Sequence, residues 1–352
     1  MPTYTHGGDV YAARQAFGAP VLDFSANLNP LGMPPQVRAA AMEAVDEAVH
    51  YPDPLCRALR AGIAQRDGVA PEQVVCGGGG ADLTFRLCCA LRPRRAMVTA
   101  PTFSEYEQAL AAVGCEVVRH PLEEGENFAF TPAILSPIGP GLELCFLCSP
   151  NNPTGQTISL PLLRSAAEAC RDVGAVLVVD QCFLELSDGE EGGQLSGWLE
   201  EFPNLVLLRA FTKSFAIPGL RLGYCLTGDR ALAERLYACG QPWPVSGPAQ
   251  AAGLAALACP DWPIRARDLI QTERPLLADG LAALGLKVYP SRANYLLFRA
   301  QGDETLKERL LARGVLIRSC ANYPGLGPGY YRVAVRTRRE NQVLLSELKE
   351  VL

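Results

Sequence analysis

Short apolar runs alternate with amphipathic stretches through the middle of the chain. The runs are Val74 to Cys76, Ala96 to Thr99, Glu116 to Arg119, Leu142 to Cys148, Val176 to Asp180, Val206 to Arg209 and Leu222 to Leu226, with helical spacing over Ser104 to Val113 and Leu160 to Val173. Such alternation predicts an open, mostly parallel α/β sheet. Strands covered by helices on both faces are apolar along their length, as these are. A segment dense in proline and glycine, Gln241-Pro242-Trp243-Pro244-Val245-Ser246-Gly247-Pro248, interrupts the pattern. Beyond it a helical stretch precedes short strands at Lys287 to Tyr289, Tyr295 to Arg299, Val315 to Ile317 and Tyr331 to Val335, and a closing helix runs from Arg339. The expected organisation is a large α/β domain over residues 31–238 and a smaller α+β domain over 239–352.

At 352 residues and 49% hydrophobic, the chain can bury one large core or two moderate ones. A net charge of -5 and a pI near 5.4 provide no basic face for a polyanion, so nucleic-acid binding is not expected. Arg92, Arg94 and Arg95 read as charges solvating a loop. No uninterrupted apolar run approaches the roughly 20 residues of a membrane helix. The stretch Met1 to Gly8 lacks a basic segment followed by an apolar one, so no export signal and a cytoplasmic location are expected. Thirteen cysteines, odd in number and scattered, read as small buried reduced thiols rather than a disulfide framework. Cys145 and Cys148 form a C-x-x-C, but their odd separation on a strand sends them to opposite faces, and no metal site is expected.

The candidate chemistry centres on Arg209-Ala210-Phe211-Thr212-Lys213-Ser214, which follows an apolar strand, and on Arg221 eight positions after Lys213. Burial or cationic neighbours make a lysine amine nucleophilic towards an aldehyde, and a guanidinium fork grips a phosphate. Alone, two cations at this spacing are ordinary surface charges. Two further motifs change that reading: Ser149-Pro150-Asn151-Asn152-Pro153-Thr154-Gly155 and Val176-Leu177-Val178-Val179-Asp180. Together, in this order, they resemble the lysine signature, the Asn-Pro-Thr-Gly loop and the aspartate strand of the fold-type I pyridoxal-phosphate enzymes, in the class I/II aminotransferase group. The similarity runs from about His6 to the C-terminus.

The resemblance implies the pyridoxal-phosphate-dependent transferase-like fold, with the N-terminal arm, residues 1–30, packing with the small domain. It also implies pyridoxal 5'-phosphate as cofactor, with Lys213 binding its aldehyde and Asp180 pairing with the pyridinium nitrogen so that the ring accepts electrons. Cys76-Gly77-Gly78-Gly79-Gly80-Ala81-Asp82 follows a strand and opens a helix whose bare amides suit a phosphate, and it completes no dinucleotide fingerprint. By similarity Gly80 and Ala81 bind the cofactor phosphate with Arg221 and Thr212. The same resemblance implies that Phe103 stacks on the ring and Asn152 donates to its phenolic oxygen. Tyr51 resembles the tyrosine that, in the family's homodimers, reaches the cofactor phosphate of the partner subunit. Ala210 stands where the family has a serine donor, a place Thr212 or further loop amides could fill. Phe183 stands where many aminotransferases have tyrosine, which favours relatives that are not ordinary aminotransferases.

Arg332 and Arg336 are four apart on an expected strand and so share a face. Together they could hold two anions, and the family places an α-carboxylate ligand at Arg332. The segments Thr5-His6-Gly7-Gly8-Asp9, Leu22 to Gly32 and Ile317 to Leu326 resemble the threonine-phosphate decarboxylases of cobalamin synthesis. Histidinol-phosphate aminotransferases share the framework but typically have glycine where Arg336 stands. The substrate implied is a small phosphorylated amino acid or amine held by His6, Gly7, Asn27, Arg332 and Arg336. The activity implied is decarboxylation of threonine phosphate, with an aminotransferase as the alternative. Ser319 and Gln181 replace acidic residues common in the family. A cofactor-binding regulator on the same fold is the remaining class, and no basic or helix-turn-helix segment accompanies this chain to support it.

Overall fold

The structure, a computed structural model, describes residues 6–188 and 191–352. The expectation of no export signal at the extreme N-terminus, and the first residues of the arm, fall on Met1 to Thr5, outside the described residues.

The apolar runs become strands whose ends differ from the sequence reading by at most two residues. After β1 (Leu22–Asp23) come β2 (Val74–Gly77), β3 (Arg95–Ala100), β4 (Glu116–Pro121), β5 (Leu144–Cys148), β6 (Val176–Asp180), β7 (Leu205–Ala210) and β8 (Gly223–Thr227). The last seven form one sheet in the order β2-β8-β7-β6-β5-β3-β4. Strands β7, β6, β5, β3 and β4 are mutually parallel, while β8 runs antiparallel to both of its neighbours. Alternate side chains fill two separate cores. Cys145, Leu147, Leu177, Val179 and Leu207 pack on one face, and Leu144, Phe146, Cys148, Val178, Val206 and Leu208 on the other. Cys145 and Cys148 thus lie on opposite sides of the sheet.

Helices α1 (Val10–Phe17), α2 (Pro35–Glu43), α3 (Arg57–Asp67), α4 (Gly80–Leu91), α5 (Glu105–Ala112), α6 (Leu160–Asp172), α7 (Phe211–Ser214) and α8 (Arg230–Ala238) connect or precede these strands. Their starts are chemically marked: Asp9 caps α1 and Asp229 caps α8 through side-chain oxygens, and Pro161 occupies the first turn of α6. Next comes α9 (Gly247–Leu257), where the packing departs from the expected boundary at 238/239. Val245, Ala249, Ala252 and Ala256 join the larger core, and α9 packs on α2 and α3. The proline-glycine segment is a turn into a helix of the large unit, because an alanine-rich helix with small side chains can approach α2 closely.

The smaller unit contains α10 (Asp261–Ala283), β9 (Lys287–Val288), β10 (Tyr295–Arg299), α11 (Leu306–Leu311), β11 (Val315–Leu316), β12 (Arg318–Ser319), β13 (Tyr330–Ala334) and α12 (Arg338–Val351). Its antiparallel sheet has the order β12-β13-β10-β9, while β1 pairs in parallel with β11. Phe24 of the N-terminal segment is buried in this unit's core with Ile317, Leu296 and Val333. Among the described residues no helix is long and apolar enough to cross a membrane.

Candidate active site

A parallel sheet gathers the groups that follow its strands at their carboxyl ends. Asp180 ends β6, Asn152 lies just past β5 and Lys213 just past β7, and these neighbouring strands bring all three to one cavity of about 640 Å³. Gly80, Ala81, Phe103, Thr212 and Arg221 also line it, as do His6, Gly7, Asn27 and Arg332. Two of the expected site residues lie elsewhere, Tyr51 and Arg336.

Asp180 is buried, and a buried carboxylate is costly without partners. Tyr106 Oη donates to its Oδ2 at 2.6 Å and the Cys182 amide to its Oδ1 at 2.8 Å. Burial and the adjacent carboxylate push the Tyr106 hydroxyl well above its ordinary range, so it stays a donor. Its ring stacks on Phe146 at 4.9 Å. Lys213 sits on the short helix α7, which the N-terminal segment pins: the Asn29 amide donates to Lys213 O at 3.0 Å, and Asn29 Nδ2 to Ser214 O at 2.7 Å. The lysine Nζ lies 5.6 Å from the centroid of the Phe183 ring.

Burial, then the positive charge of Arg332, lowers the Lys213 ammonium from 10.5 to about 8. Unfolded chains keep that proton up to the ordinary value, so between about pH 8 and 10.5 the unfolded state binds more protons. The cofactor-free protein should therefore gain stability as pH rises through this window, with the full cost of the buried amine present below it. Thermal melts of cofactor-free protein should show that rise, and Lys213→Met should flatten it.

The residues fit pyridoxal phosphate on several counts. The N-terminus of α4 at Gly80 and Ala81 faces the cavity, with the Arg221 guanidinium lying against Gly79. Gly223 lets β8 run beneath this loop, since a Cβ there would lie 2.8 Å from the Gly79 carbonyl carbon and 2.9 Å from Gly80 N. Thr212 lines the cavity beside Ala210, which lacks the family's hydroxyl. Asn27 is 2% exposed, and neither its Oδ1 nor its Nδ2 has a partner among the described residues. Such an orphaned amide in a cavity wall marks where a ligand completes the hydrogen bonding.

Arg332 is buried, donating through Nη2 to Ser25 O at 2.8 Å and through Nη1 to Asn152 Oδ1. The expectation for Arg336 is corrected. Strand β13 ends at Ala334, so the two-residue period no longer applies at position 336. Arg336 instead donates to Glu340 Oε1 at 2.6 Å and to Asp23 O at 3.0 Å, outside the cavity. The second buried guanidinium in the cavity wall, besides the exposed Arg221, belongs to Arg318 on β12, bonded to Asn322 Oδ1 at 2.7 Å. Arg318, Glu105, Ser25 and Tyr106 were not singled out from the sequence.

The model of the aminotransferase class I and II family matches residues 19–348. The chain is 40% identical over 352 residues to the threonine-phosphate decarboxylase of Salmonella typhimurium, covering 99% of this chain and 96% of that one. It is 35% identical over 356 residues to the histidinol-phosphate aminotransferase of Nitratidesulfovibrio vulgaris, covering 99% and 94%. The crystal structure of the histidinol-phosphate aminotransferase from Clostridium acetobutylicum superposes with a TM-score of 0.87 at 26% identity, covering 94% of this chain and 99% of that one. A family match over nearly the whole length, on a fold that brings a lysine of lowered basicity to a buried aspartate, leaves one assignment: the chain belongs to the class I and II aminotransferase family and is a pyridoxal-phosphate-dependent enzyme.

Proposed function

We propose that the protein decarboxylates L-threonine O-3-phosphate to (R)-1-amino-2-propanol O-2-phosphate, acting as a cytoplasmic homodimer in cobalamin synthesis. The observation that carries this reading is the presence of two buried guanidinium groups, Arg332 and Arg318, in the wall of the cavity that holds Lys213. A substrate with both a carboxylate and a phosphate uses both. Histidinol phosphate has only the phosphate. The relative at 40% identity, named a threonine-phosphate decarboxylase, supports the same choice. Thirteen free cysteines suit a reducing compartment.

When bound, pyridoxal phosphate supplies an acceptor for the electron pair left when a bond to Cα breaks. Lys213 would hold its aldehyde carbon until the substrate's amine takes that place, and Gly80, Ala81, Thr212 and Arg221 would hold its phosphate. Asp180, kept in place by Tyr106 and the Cys182 amide, holds the proton at the ring nitrogen. Phe103 would pack on the ring, and Asn152 would donate to its phenolic oxygen. Arg332 binds the α-carboxylate. Arg318, His6, Gly7 and Asn27 bind the substrate phosphate. With both ends anchored, rotation about Cα would be restricted, so these anchors would select which bond at Cα breaks. Nζ of Lys213, freed by the substrate's amine, would give Cα a proton in place of the departing carbon dioxide. The apolar rings of Phe103 and Phe183 keep water from competing for that position.

Tyr51 is 78% exposed and stacks on Trp243 at 4.2 Å, with Met42, Val45 and Val49 also exposed. A second copy covering these residues would take Tyr51 to its own cofactor phosphate. Inactive Lys213→Ala and Tyr51→Ala variants should then regain activity as mixed dimers, one site in each being intact. Mixed dimers shown to form but remaining inactive would count against a shared site.

The histidinol-phosphate aminotransferase relative, matched over the same length, favours a second reading in which Lys213 shuttles a proton and the amino group passes to a keto acid. Product identification by mass spectrometry from threonine phosphate alone separates the two, and turnover of either kind excludes a purely regulatory role.

A further inference from the structure

Among the charged residues lining the cavity, Glu105 opposes the proposed chemistry. It places a carboxylate in the wall of a pocket assigned to an anionic substrate, and its side chain is only 11% exposed. Such a group is costly unless paired, and its partner is His6, whose Nε2 lies 2.8 Å from Glu105 Oε1. Ser104 Oγ approaches the other oxygen at 3.3 Å. The remaining charged groups lining the cavity are Asp23, Asp180, Lys213, Arg221, Arg318 and Arg332.

The pair joins two parts of the site that are otherwise separate. Glu105 opens α5, two residues after Phe103 in the cofactor wall, whereas His6 belongs to the segment before α1. That segment is docked tightly at its next two residues. A Cβ at Gly7 would lie 2.2 Å from Ser25 O, and the Gly8 amide donates to Ser25 Oγ at 2.7 Å. Ser25 O in turn accepts from Arg332. The docked Gly7-Gly8 turn sets the position of the His6 backbone, and Glu105 fixes the direction of its ring.

We propose that Glu105 is a positioning residue for the substrate phosphate, holding His6 over the cavity by accepting from its Nε2–H, so that this pair sets the preference for a phosphorylated over an unphosphorylated amino acid. The inference rests on the proposed substrate. A hydrogen bond from Nε2 fixes the ring so that Nδ1 is presented to the ligand, where it donates to a phosphate oxygen in the ring that carries protons on both nitrogens. Removing the acceptor frees the ring to rotate, and the phosphate loses an oriented contact while the amino-acid end keeps its own.

The test uses holoenzyme: the natural protein, Glu105→Met, Glu105→Gln, His6→Ala and the Glu105→Met/His6→Ala double variant. The readouts are kcat and KM for O-phospho-threonine and the inhibition constant of threonine, which lacks the phosphate. Glu105→Met should raise KM about tenfold, the size of a typical coupling between contacting residues. The effect should fall on KM rather than kcat, and the inhibition constant of threonine should move far less. His6→Ala should match it, and the double variant should be no worse than either single one. Glu105→Gln, which keeps an acceptor oxygen, should recover most of the loss.

Glu105→Met with natural KM and discrimination would overturn the proposal. So would single effects that multiply in the double variant, or a Glu105→Gln protein that binds phosphothreonine more tightly than the natural one. Should Glu105→Met fail to retain cofactor, Glu105→Ala takes its place in the same cycle. Failure of the substrate reading itself is distinct, because the natural protein would then release no carbon dioxide from O-phospho-threonine before any variant is made.

Discussion

Lys213→Ala should reduce turnover on the order of a thousandfold or more, because one side chain serves both as the carbonyl-binding amine and as the proton donor at Cα. The effect should not resemble general loss of structure. Among the described residues Lys213 makes no side-chain hydrogen bond, and its ammonium is destabilised by burial and by Arg332. The variant should fold, bind cofactor without the covalent link, and leave no label after borohydride reduction. In the natural protein, reduction and peptide mapping should place the label on Lys213. Label on another lysine in cofactor-saturated protein would remove the central residue of the site.

Arg332→Ala should lower kcat/KM for O-phospho-threonine by about 30-fold or more, since truncating the partner of a buried anion costs about 2 to 5 kcal/mol. Arg332 is 5% exposed, and it also ties Asn152 to Ser25, so its loss loosens the cofactor wall and the N-terminal segment together. Arg336→Ala should behave differently. Its guanidinium is paired with Glu340 at the start of α12, so the expected change is in stability, with a much smaller change in kcat/KM. Steady-state kinetics on the two variants side by side tests the corrected assignment.

The central sheet was legible because its strands are covered on both faces and therefore read as continuous apolar runs. The groups that follow those strands, Asn152, Asp180 and Lys213, were legible for the same reason: motif order maps directly onto neighbouring parallel strands. Strands β1 (Leu22–Asp23) and β12 (Arg318–Ser319) were not read, whereas β9 and β11, equally short, fall within the runs Lys287 to Tyr289 and Val315 to Ile317. Arg336 was misplaced although a signal was present. Thr337-Arg338-Arg339-Glu340 is a capping box that starts a helix, and the structure forms it. That box ends the strand earlier and gives Arg336 its partner, Glu340. Arg318 and Glu105 have no such local mark. They enter the cavity through long-range packing, Arg318 through the pairing of β12 with β13 and Glu105 through the contact between α5 and a segment about a hundred residues earlier in the chain. Tyr106, 74 positions from Asp180, is a further case.

The most direct test of the account is incubation of the holoenzyme with O-phospho-L-threonine in the absence of any keto acid, followed by measurement of carbon dioxide release and mass spectrometry of the product. The account predicts stoichiometric carbon dioxide and 1-amino-2-propanol phosphate. No carbon dioxide, together with conversion of histidinol phosphate in the presence of 2-oxoglutarate, would contradict it and assign the protein to transamination.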